Sequence, residues 1–159
     1  MKKIFLTIAT AALFSANVFA ADGGKKANGS ANVSYAVQQE FAADFSEAKN
    51  VNWIETKNCV KADFEVDGVK KTAFYTLSGD FLGTTQTVGY NAIPAKSQKL
   101  IADSYKGYVA GNVIVYQANV SLNDTIEPTT YFVDLKNDAH EVLVRVTSAG
   151  NVEFFKQVK

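Results

Sequence analysis

Residues 60–77 read VKADFEVDGVKKTAFYTL and carry the strongest structural signal in the chain. Apolar and charged residues alternate from Val60 to Val66, which is the period of a strand with one buried side and one solvent-facing side. Asp67-Gly68 follows as a tight hairpin turn, because both residues tolerate a positive φ. Residues from Lys70 to Leu77 are therefore predicted to form the returning strand.

The segments on either side extend this hairpin. Val51 to Thr56 is predicted to be a strand before it, and Phe81 to Val88 a strand after the turn Ser78-Gly79-Asp80. Upstream, an apolar residue recurs every four positions from Val37 to Phe45, which predicts a helix with one buried stripe. Residues 34–90 are thus expected to form one helix followed by four antiparallel strands.

The same order recurs in the second half of the chain. Ile101 matches Phe41 at an offset of 60 residues, and Tyr131 matches Val60 at an offset of 71. The 11 extra residues are assigned to a polar insertion loop near residues 121–130. The predicted fold class is α+β: two tandem helix-plus-four-strand antiparallel repeats share one curved sheet with both helices on one face.

Three residues of the first repeat carry expectations about burial. Val51 and Trp53 have the same phase along their strand and are both expected in the core. Cys59 has the opposite phase to Val60 and is expected to be half covered, with an intermolecular disulfide as the alternative. Because a single cysteine cannot form a disulfide within the chain, stability must come from packing.

The first 20 residues are predicted to be a signal peptide. Lys2 and Lys3 precede an apolar run from Ile4 to Phe14, and Val18-Phe19-Ala20 ends in the small residue that signal peptidase needs. The run is shorter than the ~18 apolar residues that a membrane anchor requires. Cleavage after Ala20 would export the chain to the periplasm or the extracellular space, with no membrane insertion afterwards.

Residues 21–33 are rich in Gly, Ala, Asn and Lys and are predicted to be a flexible leader without structure. The predicted organisation is a signal peptide at 1–20, this leader at 21–33, a first repeat at 34–90 and a second repeat at 91–159.

The charge of the mature chain disfavours nucleic acid as a partner. Loss of Lys2 and Lys3 leaves 14 basic residues against 16 acidic ones, a net charge of −2. Binding to nucleic acid depends on clustered Lys and Arg, which this composition does not provide.

Several short motifs carry a family resemblance. They are Phe41-Ala-Ala-Asp-Phe45, Ala48-Lys-Asn-Val-Asn-Trp53, Asp67-Gly68, Ala73-Phe-Tyr75 and Ser78-Gly79-Asp80, with Ile93-Pro94 and Tyr105 bounding the second helix. Together they resemble the PepSY-like, or beta-lactamase-inhibitor-like, secreted proteins of Gram-negative bacteria. The resemblance covers residues 34–159. It implies paired repeats that form a curved sheet whose open face holds another protein, and its better understood relatives bind and inhibit secreted enzymes.

The sequence shows no recognisable set of catalytic residues. The sole histidine, His140, lies in a predicted turn, without the neighbouring nucleophile that acyl-transfer chemistry needs. His140 and Cys59 have no second partner for zinc, and Asp134, Asn137 and Asp138 lack the spacing of a calcium loop. No glycine-rich phosphate loop joins a strand to a helix. The chain is expected not to be an enzyme and to carry no metal or cofactor.

The side of the sheet opposite the helices, the open face, is predicted to bind a partner. Strand alternation places six residues there: Phe74, Ile114, Tyr116, Phe132, Leu143 and Arg145. Apolar clusters with an arginine are typical of protein interfaces. The alternative is that the insertion loop, the leader or sheet curvature covers them.

These observations predict a secreted or periplasmic, non-catalytic binding protein. It would act as an inhibitor or regulator that captures another envelope or secreted protein on the open face. A carrier or sensor of a small apolar ligand is the alternative, with the same aromatic residues lining a groove.

Asp124-Thr125-Ile126 resembles the Asp-Thr-aliphatic acceptor of O-glycosylation in exported proteins of some Gram-negative bacteria. Thr125 is accordingly predicted to be a glycosylation site in the insertion loop, with a chance match as the alternative.

Overall fold

The computed structural model describes residues 33–122 and 124–159. The predicted signal peptide and leader residues 21–32 lie outside the described residues. The helices are α1 (Tyr35–Asp44) and α2 (Ala95–Ser104), and a short 3-10 helix spans Tyr90–Ala92. The strands are β1 (Lys49–Glu55), β2 (Val60–Val66), β3 (Val69–Tyr75), β4 (Phe81–Val88), β5 (Val109–Ala118), β6 (Thr129–Lys136), β7 (Glu141–Thr147) and β8 (Val152–Gln157).

The strands follow one another in a single sheet, in the chain order β1 to β8. Neighbouring strands pair antiparallel, as in β1 with β2 and β5 with β6. The predicted α+β class is therefore confirmed. The chain divides into two compact units between Leu82 and Gly83, within β4.

The first unit begins with a capped helix. The hydroxyl of Ser34 accepts a hydrogen bond from the Val37 N–H at 3.4 Å, as expected of an N-cap. The side-chain amide of Gln38 donates to the Val33 carbonyl at 2.9 Å. Val33 is only 8% exposed and belongs to the core of this unit. The prediction of an unstructured leader is therefore wrong for Val33, because this apolar side chain packs under α1.

Aromatic side chains dominate the core between α1 and its strands. The ring of Phe41 lies 5.3 Å from that of Phe45, 5.1 Å from Trp53 and 5.1 Å from Phe64. The buried members of this core are Val33, Val37, Phe41, Val60, Ala62, Phe64, Ala73 and Tyr75. The alternation of residues 60–66 therefore predicts correctly which side of β2 faces the core.

An irregularity in β1 changes which of its residues face the core. The pairing with β2 shifts between Lys49 and Asn52, and Asn50 has a φ of 56°. Trp53 packs on the core, whereas Val51 is exposed. The expectation that Val51 is buried is wrong, because the extra residue of a bulge interrupts strict alternation.

Cys59 is buried rather than half covered. It lies in the turn between β1 and β2, where its N–H donates to the Thr56 hydroxyl at 3.0 Å and its Sγ lies 3.4 Å from the same oxygen. The Thr56 side chain thus holds Cys59 within the turn. Strand alternation does not predict the burial of Cys59, because the residue precedes β2.

The second unit has its own core under α2. Its buried members are Ile93, Ile101, Val113, Val133, Leu135, Val142, Val144 and Val146. Pro94 is the N-cap residue, directly before the helix. Ser97 is fully buried and donates to the Gly150 carbonyl at 2.9 Å, which links α2 to the turn between β7 and β8.

Candidate binding face

The candidate site lies on the strands of the second unit, on the side away from its core. Val113 and Val133 stand opposite each other and belong to the core. Because successive residues of a strand point to opposite sides, their neighbours Ile114 and Phe132 lie on the other side. We define the open-face cluster as the predicted residues of this unit: Ile114, Tyr116, Phe132, Leu143 and Arg145.

The strand register brings this cluster together. Ile114 of β5 stands opposite Phe132 of β6, and Phe132 stands opposite Arg145 of β7. Tyr116 and Leu143 occupy the same side of β5 and β7. The cluster therefore spans three adjacent strands.

Four of the cluster residues are buried in the full-length chain, Phe132 completely, whereas Arg145 is partly exposed. Burial raises the pKa of the Tyr116 hydroxyl to about 12. Arg145 forms an ion pair with Glu153 of β8. The four apolar and aromatic members are therefore covered in this structure.

Phe155 of β8 belongs beside this cluster and was not predicted from the sequence. Its ring lies 5.1 Å from that of Phe132. The pairing of β7 with β8 shifts between Leu143 and Val144, so that simple alternation misplaces the residues of β8. A bulge of this kind leaves no clear signal in the sequence.

Phe74, the sixth predicted residue, lies in the first unit. It is buried on β3 and stands opposite Lys61 of β2. Asp63 on the same side of β2 accepts a hydrogen bond from the Thr72 hydroxyl at 2.7 Å. This side of β2 is mostly charged, so the apolar cluster belongs to the second unit.

A buried carboxylate adjoins the cluster. Asp134 lies two residues beyond Phe132 on β6, opposite Leu143, and its side chain is 2% exposed. Its Oδ2 lies 3.1 Å from the Lys136 ammonium, which is also 3.2 Å from a Glu141 oxygen. Among the described residues, no donor reaches Asp134 Oδ1. The sequence signal for this position is an acidic residue inside the otherwise apolar run 131–135.

Gly111 provides room for this carboxylate. A Cβ atom at Gly111 would lie 2.8 Å from Asp134 Oδ2, closer than real Cβ contacts allow. The register of β5 with β6 shifts between Ala110 and Val113, around this glycine. The local backbone is thus shaped to accept the Asp134 side chain.

Burial gives Asp134 a pH-dependent effect on stability. Desolvation raises the pKa of this carboxyl above 3.8, partly opposed by the hydrogen bond from Lys136. Ionisation is then harder in the folded chain than in the unfolded one. The contribution of Asp134 to the free energy of unfolding therefore falls as the pH rises from about 3.8 through the raised pKa of the folded chain.

We expect Asp134→Asn to remove this loss, so that the variant gains stability relative to the wild type as the pH rises from about 4 through the raised pKa of the folded chain. The charged groups that act on Asp134 are Lys136 and Glu141. Urea titrations across this pH range measure the difference. Asp63→Asn, with a hydrogen-bonded and less buried carboxylate, is the control. A difference that is constant with pH would contradict the assignment.

The other predicted residues lie apart from this face. The Asn137 side chain accepts hydrogen bonds from the N–H groups of Ala139 and His140 at 3.0 and 2.7 Å, so His140 sits in an exposed turn. Thr125 is exposed in the segment between β5 and β6. Within residues 33–122 and 124–159, no three His, Cys, Asp or Glu side chains are grouped to hold a metal ion. In the same ranges no helix has the length and apolar character needed to cross a membrane.

No protein-family model and no curated protein matches the chain. Solved structures do resemble it. A BLIP-like protein of Bacteroides fragilis is 19% identical with a TM-score of 0.65, and the match covers 79% of this chain and 86% of that one. A DUF2874 family protein of Bacteroides uniformis is 16% identical with a TM-score of 0.69, covering 79% and 89%.

A third structure comes from Bacteroides eggerthii, and its name proposes a periplasmic location. It is 16% identical with a TM-score of 0.66, and the match covers 79% of this chain and 87% of that one. At these identities the likeness shows the fold alone. The chain therefore has the α+β fold of BLIP-like and DUF2874 proteins.

Proposed function

We propose that this chain is an exported, non-catalytic binding protein that captures another envelope or secreted protein on the open-face cluster. The observation that carries the proposal is the contiguity of Ile114, Tyr116, Phe132 and Leu143 on three strands, bordered by Arg145. Aromatic residues with an arginine at the margin are the usual anchors of protein interfaces. The likeness to a BLIP-like structure and to one named for the periplasm supports the same class of function.

Finer parts of the hypothesis stay predictions. They are the PepSY-like resemblance, the tandem repeat with both helices on one face, and the role of inhibitor. The burial of the cluster in the full-length chain adds one requirement: whatever covers these residues must move or leave before a partner can bind. Because the exported chain is expected to begin at Ala21, the mature chain is the form to test.

We expect the combined change of Tyr116, Phe132 and Arg145 to alanine to weaken binding to the partner at least about thirtyfold, as for central interface residues. The measurement is capture of envelope proteins from the native host by the immobilised mature chain, followed by titration of the captured protein. The control changes Tyr35 and Phe154 to alanine, because both are well exposed and lie outside the cluster.

A milder variant guards against loss of folding. Arg145→Glu alters one partly exposed side chain whose ion pair with Glu153 contributes little to stability. It should keep its melting temperature and still lose affinity. If both variants are folded and bind as the wild type does, the open-face cluster is not the binding surface.

Intact mass of the exported protein tests processing and modification together. We expect a chain that begins at Ala21, because Val18-Phe19-Ala20 has the pattern of a cleavage site.

We propose further that Thr125, which is exposed, carries an O-linked glycan, so that the Thr125→Ala variant loses the added mass. Retention of residues 1–20 would contradict the first expectation, and an unmodified chain from the native host would contradict the second.

A further inference from the structure

Asp134 has a feature that the apolar contacts of the cluster do not explain. Buried carboxylate oxygens are nearly always hydrogen-bonded, because an unpaired one loses its hydration without compensation. Oδ2 has the Lys136 ammonium, but Oδ1 has no donor among the described residues although it is buried. Oδ1 is therefore an acceptor that still needs a donor.

The charges around Asp134 define which donor fits. Asp134 and Glu141 share one ammonium group, that of Lys136, so this group of three side chains keeps one excess negative charge. Lys156 is exposed and forms no ion pair among the described residues. A cationic donor would satisfy Oδ1 and balance this charge at once.

The position of Asp134 couples this acceptor to the apolar cluster. It stands directly opposite Leu143 and on the same side of β6 as Phe132. Lys and Arg side chains bury an apolar stem and keep a charged end. Such a side chain can pack its stem on Phe132 and Leu143 while its charged end reaches Asp134.

We propose that Asp134 is the polar anchor of the open face, whose Oδ1 accepts a hydrogen bond from a Lys or Arg side chain of the protein partner. This inference rests on the proposed function and specifies the partner: a segment that presents a cationic side chain next to apolar ones. Charge-assisted hydrogen bonds to a carboxylate are among the strongest that proteins make, and they fix orientation. Gly111 leaves room for the other oxygen of the same carboxylate, Oδ2, which holds the Lys136 ammonium.

The test uses two small probes of the same shape. Benzamidine is an aromatic cation, and benzamide is its neutral analogue. Each is titrated into the mature chain while the NMR amide signals of Gly111, Phe132 and Leu143 are followed. We expect benzamidine to bind at least about tenfold more tightly than benzamide. Asp134→Asn should abolish that preference, whereas the matched Asp63→Asn should keep it.

The outcomes separate the two proposals. Equal binding of both probes at these amides, or a preference that survives Asp134→Asn, would overturn the role of Asp134 and leave the open face as a binding surface. If neither probe shifts these signals in the folded mature chain, the role of Asp134 is overturned, whereas the proposed function is decided separately by protein capture with the Tyr116, Phe132 and Arg145 variant.

Discussion

Changing Phe41 to alanine is expected to lower the free energy of unfolding by about 3–5 kcal/mol. Phe41 is almost completely buried under α1 and contacts the rings of Phe45, Trp53 and Phe64. Truncation removes this apolar area from the core and leaves a cavity that three rigid rings fill poorly. A urea titration of the mature chain measures the loss.

Phe154→Ala is the matched control for Phe41→Ala, because it makes the same chemical change at a side chain that is 61% exposed. Its free energy of unfolding should stay within about 0.5 kcal/mol of the wild type. If the Phe41→Ala variant unfolds at the same urea concentration as the control, the packing of α1 on the first unit is wrong.

Changing Gly83 to alanine is expected to lower the free energy of unfolding by about 2–5 kcal/mol, which is the second large effect. Gly83 has a φ of 145°, a conformation that side chains rarely adopt. A Cβ atom there would lie 2.3 Å from the Gln117 carbonyl oxygen and 2.9 Å from the Tyr116 ring. Because one of these atoms belongs to the backbone of β5, the clash cannot be relieved by rotating a side chain.

Gly107→Ala separates the two causes of this effect. Gly107 also has a positive φ, 83°, but a Cβ atom there would have open space around it. Its variant should show only the backbone strain, about 1–2 kcal/mol. Equal losses for the two variants in thermal or urea unfolding would mean that β5 moves freely away from Gly83, contrary to the packing described for Tyr116.

Local signals in the sequence predict the elements well. Asp67 and Gly68 adopt φ values of 52° and 77°, as the Asp-Gly hairpin turn requires. β4 spans Phe81–Val88, the range that its composition predicts. These features depend on residues that are close together in the chain, so a single sequence contains the information for them.

Bulges and burial depend on distant residues and are harder to predict. Val51 and Phe155 both escape the alternation rule, because the pairing of β1 and of β8 shifts by a residue. Alternation also places Phe132 on the correct side of β6, but it does not determine whether that side is covered. Asp134 is a further residue whose environment cannot be predicted from alternation. Its burial depends on the neighbouring strands β5 and β7, and alternation does not show that its Oδ1 is unpaired.

Photo-crosslinking in the native host tests the binding surface most directly. Benzoylphenylalanine is introduced in place of Tyr116, within the open-face cluster, and in a second variant in place of Tyr35, which is 74% exposed and lies on α1. After export and irradiation, we predict a covalent adduct with one protein partner at position 116 and none at position 35. The adduct should decline when Arg145→Glu is added. A folded, exported chain that gives no adduct at position 116, or equal adducts at both positions, would contradict the proposal that the open-face cluster captures a protein.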